Sequence, residues 1–482
     1  MTPSIAEVLR ALPKETDDAV EEGSPTADNL QATFSSRPVP VGRLRRMRLL
    51  GSVQAKIAAG YLFHWIRGWF KSAEENERLL AEAHWQTALR LLDSMRYMRG
   101  AMMKIGQTLA NLPDIVPREF VETLQSLQFN APPMHWSLMR EMVYNELGDD
   151  PEELFATFDT TAFAAASLGQ VHRARLRTGE EVAVKIQYPG IARTIREDLR
   201  NLLTLLLPAR LGKDWESTKA QLDELRAQLE QETDYEREAR VLTKARSLFR
   251  DTDGVVVPRV YREFTTARVL TMEYVRGVHL KDYLADSPPQ QERNAFAAKI
   301  VTSGYRLLCS ARMLYADFHP GNLVFMPDGR LGLLDFGFVR QIPDDEWELF
   351  RKFDRALTSG ESGNFCEFVR EWCQIPDPVA ERQRLALCQE LTYALYHPRF
   401  YNGDFDFGDE GHFRRACDLF LEVAGKRYTR GHPSTPIATR VEFGYRSVLY
   451  ALKAKANVRE IAERELHSTG WDRSAYAPVV RA

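Results

Sequence analysis

Four polar residues that lie far apart in the sequence constrain the fold most strongly. Lys185 closes the strand-like run Val182-Ala-Val-Lys185, and Asp335 opens the tripeptide Asp335-Phe-Gly337 on a leucine-rich strand. Between them, Asp317 precedes Asn322 by five residues, after an apolar helix. Each signal alone is weak, because a lysine on a strand is usually solvated and such tripeptides arise by chance. Their joint occurrence predicts that one cation and three oxygen-bearing side chains meet in one cleft.

The order of these parts is that of protein kinases. Phosphoryl transfer requires positive charge on the phosphates and an in-line nucleophile. We expect Lys185 to neutralise the α- and β-phosphates of ATP or ADP, and Asn322 and Asp335 to offer oxygen ligands to Mg²⁺. Asp317 is expected to orient or deprotonate an acceptor hydroxyl, so that Asp317, Lys185 and Asn322 form the catalytic set.

Two glutamates in the helical zone from residue 191 to about 250 are candidate partners for buried lysines. Glu232 and Glu238 both continue an apolar stripe, and a buried carboxylate without a partner is costly. We expect Lys185 to pair with Glu238 and Lys104 to pair with Glu232, with Asp234 assisting. Ordinary surface salt bridges are the alternative.

The remaining elements follow from the period of the apolar residues. A helix over 91–109 presents Lys104 and Gln107 on one side. Residues 162–172 and 178–186 predict two strands joined by a turn near Thr178-Gly179, and residues 254–274 are β-rich. From Gln290 onward we expect helices, apart from short strands around Leu323 and Leu333.

Composition limits the classes of partner and compartment. The formal charge of -3 gives no reason to expect a nucleic-acid partner. The five cysteines show no paired spacing, which argues against a disulfide framework or a structural zinc site and favours a reducing compartment. We predict no signal peptide and no transmembrane helix, and hence a cytoplasmic protein that is peripheral on a membrane at most.

Residues 37–71 carry Lys and Arg without Asp or Glu, together with Tyr, Trp and Phe. One interpretation is a surface helix whose aromatic residues pack on the body of the protein. The other is an anchor that meets anionic membrane lipid or isoprenoid lipid. Protein partners are not indicated by any pattern.

The motifs resemble those of the UbiB/AarF family of atypical kinase-like proteins, also called ADCK-type. Its K-x-G-Q helix is matched by Lys104, Gly106 and Gln107, its alanine-rich loop by Ala164, Ala165, Ala166, Ser167 and Gly169, its E-x-D element by Glu232 and Asp234, and its D-x-H-P-G-N loop by Asp317 to Asn322. The match runs from about residue 91 to residue 342. Phe318 stands where the family usually has proline.

The resemblance implies an α+β, bilobal protein-kinase-like fold, with a small β-rich N-lobe, a helical C-lobe and an added N-terminal helical extension over the active site. It also implies ATPase behaviour, a link to ubiquinone or other isoprenoid-lipid metabolism, and ties to membranes. The alanine-rich loop is expected to favour ADP and to restrain protein kinase activity. Its residues, with Lys185, Glu238, Glu273 and Tyr274, are the expected nucleotide contacts.

We divide the chain into a flexible acidic leader (1–36), a basic aromatic-rich segment (37–90), the K-x-G-Q extension (91–145), an N-lobe with inserted helices (146–275) and a helical C-lobe (276–482). No A-P-E motif follows Asp335-Phe-Gly337, so a peptide-docking platform is expected to be missing. Two alternatives stay open: a small-molecule phosphotransferase of the aminoglycoside/choline-kinase type, and a non-catalytic nucleotide-gated binding module.

Overall fold

The computed structural model describes residues 134–468, apart from 167, 194, 197–222, 224–225, 228, 359–361, 427, 429–430 and 433. The acidic leader, the basic segment 37–71, the K-x-G-Q residues Lys104, Gly106 and Gln107, and Ser167 all lie outside the described residues.

An antiparallel sheet forms the small lobe. Its strands are β1 (Thr157–Phe158), β2 (Ala164–Ala166), β3 (Gly169–Arg175), β4 (Glu181–Gln187) and β6 (Val269–Glu273). Strand β3 pairs with β1, β2 and β4, and β4 pairs with β6. The expected turn near Thr178-Gly179 is present, but the prediction of a single strand over 162–172 is wrong. That stretch is itself a hairpin, because Ala166 pairs with Gly169 across a tight turn.

Strand β4 is buried at almost every position because both of its faces are covered. Helix α1 (Trp136–Leu147) contacts it and buries Met139 and Val143. The short helix α2 (Pro151–Leu154) follows. Lys185 is therefore a charged residue inside an apolar strand, where only close partners make its charge tolerable.

Helix α3 (Tyr235–Arg246) begins at Asp234, whose Oδ1 accepts a hydrogen bond from the backbone N–H of Arg237 at 3.0 Å. This N-cap satisfies one of the N–H groups that a helix start leaves unpaired. Glu238, Ala239, Leu242 and Ala245 form its buried face. The predicted inward orientation of Glu238 is confirmed.

The large lobe begins with helix α4 (Leu280–Ala285) and the long helix α5 (Gln290–Ala311). The structure also contains two small sheets. In one, β7 (Met313–Tyr315) pairs with β10 (Val339–Gln341); in the other, β9 (Leu331–Leu333) lies between β5 (Val255–Val256) and β8 (Leu323–Phe325). The strands predicted around Leu323 and Leu333 are thus confirmed. They hold the two loops that carry Asp317, Asn322 and Asp335.

Helices make up most of the rest: α6 (Asp344–Thr358), α7 (Ser362–Trp372), α8 (Arg382–Phe400), α9 (Glu410–Gly425), α10 (Thr435–Ala451) and α11 (Val458–His467). The strand pair β11 (Phe405–Asp406) and β12 (Lys455–Ala456) ties the last helices together. Helix α5 packs along α11 with Ile300, Val301 and Leu307 fully buried. Among the helices that the structure describes, none has both the length and the apolar content needed to cross a membrane.

The architecture confirms the predicted bilobal α+β fold. The N-terminal helical extension before residue 134 is not among the described residues.

Candidate active site

Lys185 joins the two lobes through two carboxylates. Its ammonium lies 3.0 Å from both carboxylate oxygens of Glu238 on α3 and 3.0 Å from Oδ2 of Asp335 in the large lobe. The Lys185 and Glu238 side chains are only 7% and 3% exposed. The predicted pairing of Lys185 with Glu238 is present, and the same lysine also holds Asp335.

Burial and charge act in opposite directions on this cluster. Burial disfavours the ammonium form of Lys185, but Asp335 and Glu238 outweigh it and raise the pKa of Lys185 well above its ordinary value. Burial raises the pKa of Glu238 to about 7, against the opposing effect of Lys185. Burial also acts on Asp335, yet Lys185 holds the pKa of that carboxyl below its ordinary value. Lys185 and Asp335 are therefore both charged at neutral pH.

The Asp335-Phe-Gly337 turn is fixed from two sides. The backbone N–H of Gly337 donates to Oδ1 of Asp335 at 2.8 Å. A Cβ at Gly337 would lie 3.1 Å from that same oxygen, so glycine suits the close approach. Arg237 on α3 donates to the carbonyl oxygens of Gly337 at 3.3 Å and Val339 at 2.7 Å. The metal-ligand candidate Asp335 is thereby attached to the helix that carries Glu238.

Asp317 and Asn322 form the second half of the site. The amide nitrogen of Asn322 donates to the backbone oxygen and to Oδ2 of Asp317, both at 3.0 Å. The amide oxygen of Asn322 is left as the atom that a cation can use. Phe318, the residue that departs from the family pattern, is 4% exposed and packs against Tyr315 and Tyr445. Its side chain anchors the loop in the core.

Arg440 is a functional candidate that sequence reasoning missed. It lies on α10, 123 residues after Asp317, and donates from Nη2 to Oδ1 of Asp317 at 2.7 Å. Its Nε donates to the backbone oxygen of Ala316 at 3.1 Å, and its guanidinium lies over the ring of Phe338. No motif in the sequence marks it. The carboxylate of Asp317 is thus oriented from both sides, by Asn322 and by Arg440.

The alanine-rich segment is strand β2 and the turn after it, rather than a loop. Ala164, Ala165 and Ala166 pair with Val171, Gln170 and Gly169 of β3. A Cβ at Gly169 would lie 2.1 Å from the carbonyl oxygen of Ile186, so only glycine allows β3 to approach β4 here. The structure therefore gives Gly169 a packing role; its predicted nucleotide contact, like those of the alanines, stays a prediction.

The other predicted residues take separate places. The carboxylate of Glu273 accepts hydrogen bonds from Arg246 at 3.2 Å and from the backbone N–H of Arg259 at 3.1 Å. The ring of Tyr274 lies under the guanidinium of Arg173, 4.7 Å from its centroid. Glu232 is buried at 7% exposure, but its predicted partner Lys104 lies outside the described residues. Asp234, predicted to assist that pair, serves as the α3 N-cap.

The donor set fits a magnesium-bound nucleotide. Asp335, Asn322 and Asp317 supply oxygen atoms, which Mg²⁺ prefers, and few enough that phosphates and water complete the shell. Lys185 is a charged ammonium beside them. A cluster of this kind can hold an anion and a divalent cation together, and can position an attacking hydroxyl.

Comparison with known proteins found a matching family model and similar proteins in other organisms. The family model described as the ABC1 atypical kinase-like domain matches residues 126–366. A relative from Arabidopsis thaliana, the protein ACTIVITY OF BC1 COMPLEX KINASE 8, chloroplastic, is 34% identical over 63% of this chain and 42% of its own length. The atypical kinase COQ8, mitochondrial, of Saccharomyces cerevisiae is 31% identical over 66% of this chain and 64% of its own length.

Further matches show how the length and the fold of this chain compare with those of similar proteins. A Synechocystis protein, slr0889, is 30% identical over 64% of this chain and 78% of its own length. Several relatives are longer: the matched stretch spans 49% and 48% of two further Synechocystis proteins, sll1770 and sll0005. A solved complex of Rv3197 with erythromycin from Mycobacterium tuberculosis is 23% identical, with a TM-score of 0.55 over 82% of this chain and 100% of that one. This likeness shows a shared fold.

Proposed function

Because this chain belongs to the ABC1 atypical kinase-like family, the UbiB or ADCK type, we propose that it binds ATP or ADP with Mg²⁺ and catalyses phosphoryl transfer or ATP hydrolysis. The observation that carries the proposal is the contact of Lys185 with both Glu238 and Asp335 at 3.0 Å. A buried ammonium between lobes, beside a carboxylate kept ionised, is the arrangement that kinase chemistry requires. The single contacts have structural uses elsewhere in proteins, but their combination with Asp317 and Asn322 favours catalysis.

Each residue of the cluster has a role in this scheme. Glu238 holds the ammonium of Lys185 in place, so that Lys185 can receive phosphate oxygens. Asp335 and Asn322 would hold Mg²⁺, which supplies charge neutralisation on the transferred phosphoryl group. Asp317 orients the attacking hydroxyl or water and accepts its proton at a carboxylate oxygen. Asn322 and Arg440 fix the direction in which that carboxylate points.

We also propose that protein kinase activity is restrained. Only a few residues separate Gly337 from the start of α6 at Asp344, and three of them form strand β10. Protein substrates of kinases dock on a longer segment at this place, so a peptide has little surface to bind. The methyl groups of Ala164 to Ala166 further limit how closely the backbone approaches a phosphate.

The names of the COQ8 relatives and the family resemblance support a link to isoprenoid-lipid metabolism. We propose that the reaction supports ubiquinone or other isoprenoid-lipid metabolism, with residues 37–71 meeting anionic or isoprenoid lipid at a membrane surface. If deletion of residues 37–71 leaves binding to anionic liposomes unchanged, the membrane part of this proposal is wrong.

The test measures nucleotide affinity and phosphate release with and without Mg²⁺, in the wild type and in Asp335→Asn. Asp328→Asn is the matched control, since Asp328 is an exposed carboxylate on the β8–β9 turn that pairs with Arg330. We expect Asp335→Asn to lose the gain in affinity that Mg²⁺ gives and to lose turnover, because a metal ligand is removed. Asp328→Asn should behave as the wild type.

Other results would redirect the assignment. If Asp335→Asn keeps both its Mg²⁺-dependent affinity and its turnover, the proposed site is wrong. Nucleotide binding without any phosphate release would favour the nucleotide-gated module. Turnover that rises with a hydroxylated small substrate, and not with anionic lipid, would favour the small-molecule phosphotransferase.

A further inference from the structure

The large lobe contains a cavity of about 290 Å³, lined mainly by helices α5, α6, α8, α9 and α10, with α7 and α11 at its edge. Most of its wall is aliphatic and aromatic, with Leu308, Phe353, Leu391, Leu395, Phe420 and Val423 among the lining side chains. Lys185, Asp317, Asn322 and Asp335 do not line it. It is therefore separate from the nucleotide cleft, and its volume is close to the lower end of small-molecule pockets, about 300 Å³.

One acidic side chain in the wall accepts no hydrogen bond from the described residues. Glu442 on α10 lines the cavity, and no described residue donates a hydrogen bond to it. Arg446, one turn further along α10, donates instead to the carbonyl oxygens of Ala394 at 2.8 Å and Leu395 at 3.1 Å. The other charged side chains of the wall form two ion pairs: Arg399 lies 2.7 Å from Asp354, and Arg340 contacts Glu346.

Three hydroxyl groups in the wall of the cavity also make no hydrogen bond to the described residues. The buried side-chain oxygens of Tyr315, Tyr445 and Thr435 have no hydrogen-bond partner within the described part of the chain. Buried polar atoms in native proteins are nearly always satisfied, by protein, water or a ligand. Burial raises the pKa of Glu442 to about 7, with Arg446 only partly offsetting it. A carboxyl group in this position gains from any donor that reaches it.

We propose that this space, here called the Glu442 cavity, binds a small apolar molecule whose amine or hydroxyl group donates a hydrogen bond to Glu442. The apolar walls favour a hydrocarbon body, because water loses hydrogen bonds against such surfaces. The carboxyl of Glu442 selects a molecule that carries a donor, since an analogue without one leaves this carboxyl without a hydrogen bond.

The cavity adjoins the catalytic loop. Phe318, next to Asp317, lines it, and helix α10 presents Arg440 to Asp317 and Glu442 to the cavity. A bound molecule would thus contact the same loop and helix that orient Asp317. The ligand proposal does not depend on the proposed phosphoryl transfer.

The full chain is titrated with aminoanthracene, an apolar amine whose fluorescence rises in apolar surroundings, and with anthracene, which has the same shape and no donor. We expect saturable binding of aminoanthracene, and about tenfold or more weaker binding of anthracene. Glu442→Leu should weaken aminoanthracene binding about tenfold and remove the difference between the two probes. Glu422→Leu, which removes an exposed glutamate of α9, is the control and should match the wild type.

A second variant distinguishes loss of the cavity from loss of the fold. Leu391→Trp fills the cavity and should abolish binding of both probes while thermal unfolding stays cooperative. The proposal is overturned if no saturable signal appears, which means that the cavity holds water only, or if Glu442→Leu binds both probes as the wild type does. Displacement of the probe by saturating ADP with Mg²⁺, together with unchanged probe binding in Leu391→Trp, would overturn it as well, because the probe would then occupy the nucleotide cleft.

Discussion

Replacing Lys185 by methionine removes one charge and keeps a side chain of similar length. In the wild type the ammonium contacts Glu238 and Asp335 at 3.0 Å each. The substitution leaves two neighbouring carboxylates with no cation between them, and Glu238 is only 3% exposed. Breaking a buried ion pair from one side costs about 3–5 kcal/mol, and we expect the free energy of unfolding to fall by that amount.

The loss of unfolding free energy in Lys185→Met should increase as the pH rises. The pKa of Glu238 is already raised to about 7, and loss of Lys185 raises it further, because Lys185 is the group that lowers it. A carboxyl whose folded pKa lies above its unfolded value loses stability as the pH rises through the folded pKa. The loss of unfolding free energy caused by Lys185→Met should therefore be larger near pH 8 than near pH 6. At pH 8 the wild type holds Glu238 ionised beside Lys185, whereas the variant must either protonate this carboxyl or bury its charge without a cation. Adding Glu238→Gln should restore about half of the lost free energy or more, since one unpaired charge is gone.

Urea unfolding of the wild type, both single variants and the double variant checks the reasoning. Lys352→Met, which removes an exposed pair with Glu371, is the matched control and should cost less than about 1 kcal/mol. A Lys185→Met variant that loses less than about 1 kcal/mol, or a double variant no more stable than that single one, would refute the account. Nucleotide binding should stay lost in the double variant, which separates the structural role of Lys185 from its proposed functional one.

Three further predictions concern other residues. Arg440→Met should lower turnover about tenfold with nucleotide affinity within about twofold, measured by phosphate release and titration, because Asp317 loses one of the contacts that orient it. Gly169→Ala should cost about 2–3 kcal/mol in urea unfolding, since its Cβ would lie 2.1 Å from a carbonyl oxygen of β4, whereas Gly363→Ala meets nothing within 4 Å and should not destabilise. Burial lowers the pKa of His412 to about 4, so the unfolded chain binds a proton at a higher pH than the folded chain does. As the pH falls from about 6.5 to about 4, the free energy of unfolding should therefore decrease by at most about 1.4 kcal/mol per pH unit, and His412→Gln should reduce that slope.

The lobes and the cleft were predictable because they rest on local patterns that the fold brings together. The strand lysine, the inward glutamate and the two loops are each marked by apolar period or by spacing. Lys185 could therefore be paired with Glu238, and expected in one cleft with Asp335, from the sequence alone; the direct contact of Lys185 with Asp335 was not predicted. Strand β4 illustrates why: its apolar run requires burial, and burial of Lys185 requires a carboxylate nearby.

Other features escaped the sequence because they depend on contacts without a local signal. The hairpin at residues 164–169 reads as one apolar strand, since a tight turn between small residues leaves the period unchanged. Arg440 sits on an ordinary amphipathic helix 123 residues from its partner, and no spacing rule reaches that far. The Glu442 cavity arises from how several helices meet, and no local pattern in the sequence marks the gaps between helices.

The bonds from Arg237 to the carbonyl oxygens of Gly337 and Val339 have a consequence for regulation. A kinase-like protein can be silenced by an outward swing of the helix that bears the lysine's glutamate partner. Here that swing would break the Lys185–Glu238 pair and both guanidinium bonds in one step, so α3 and the Asp335 turn move together or not at all. On–off control of this protein should therefore not use the position of that helix.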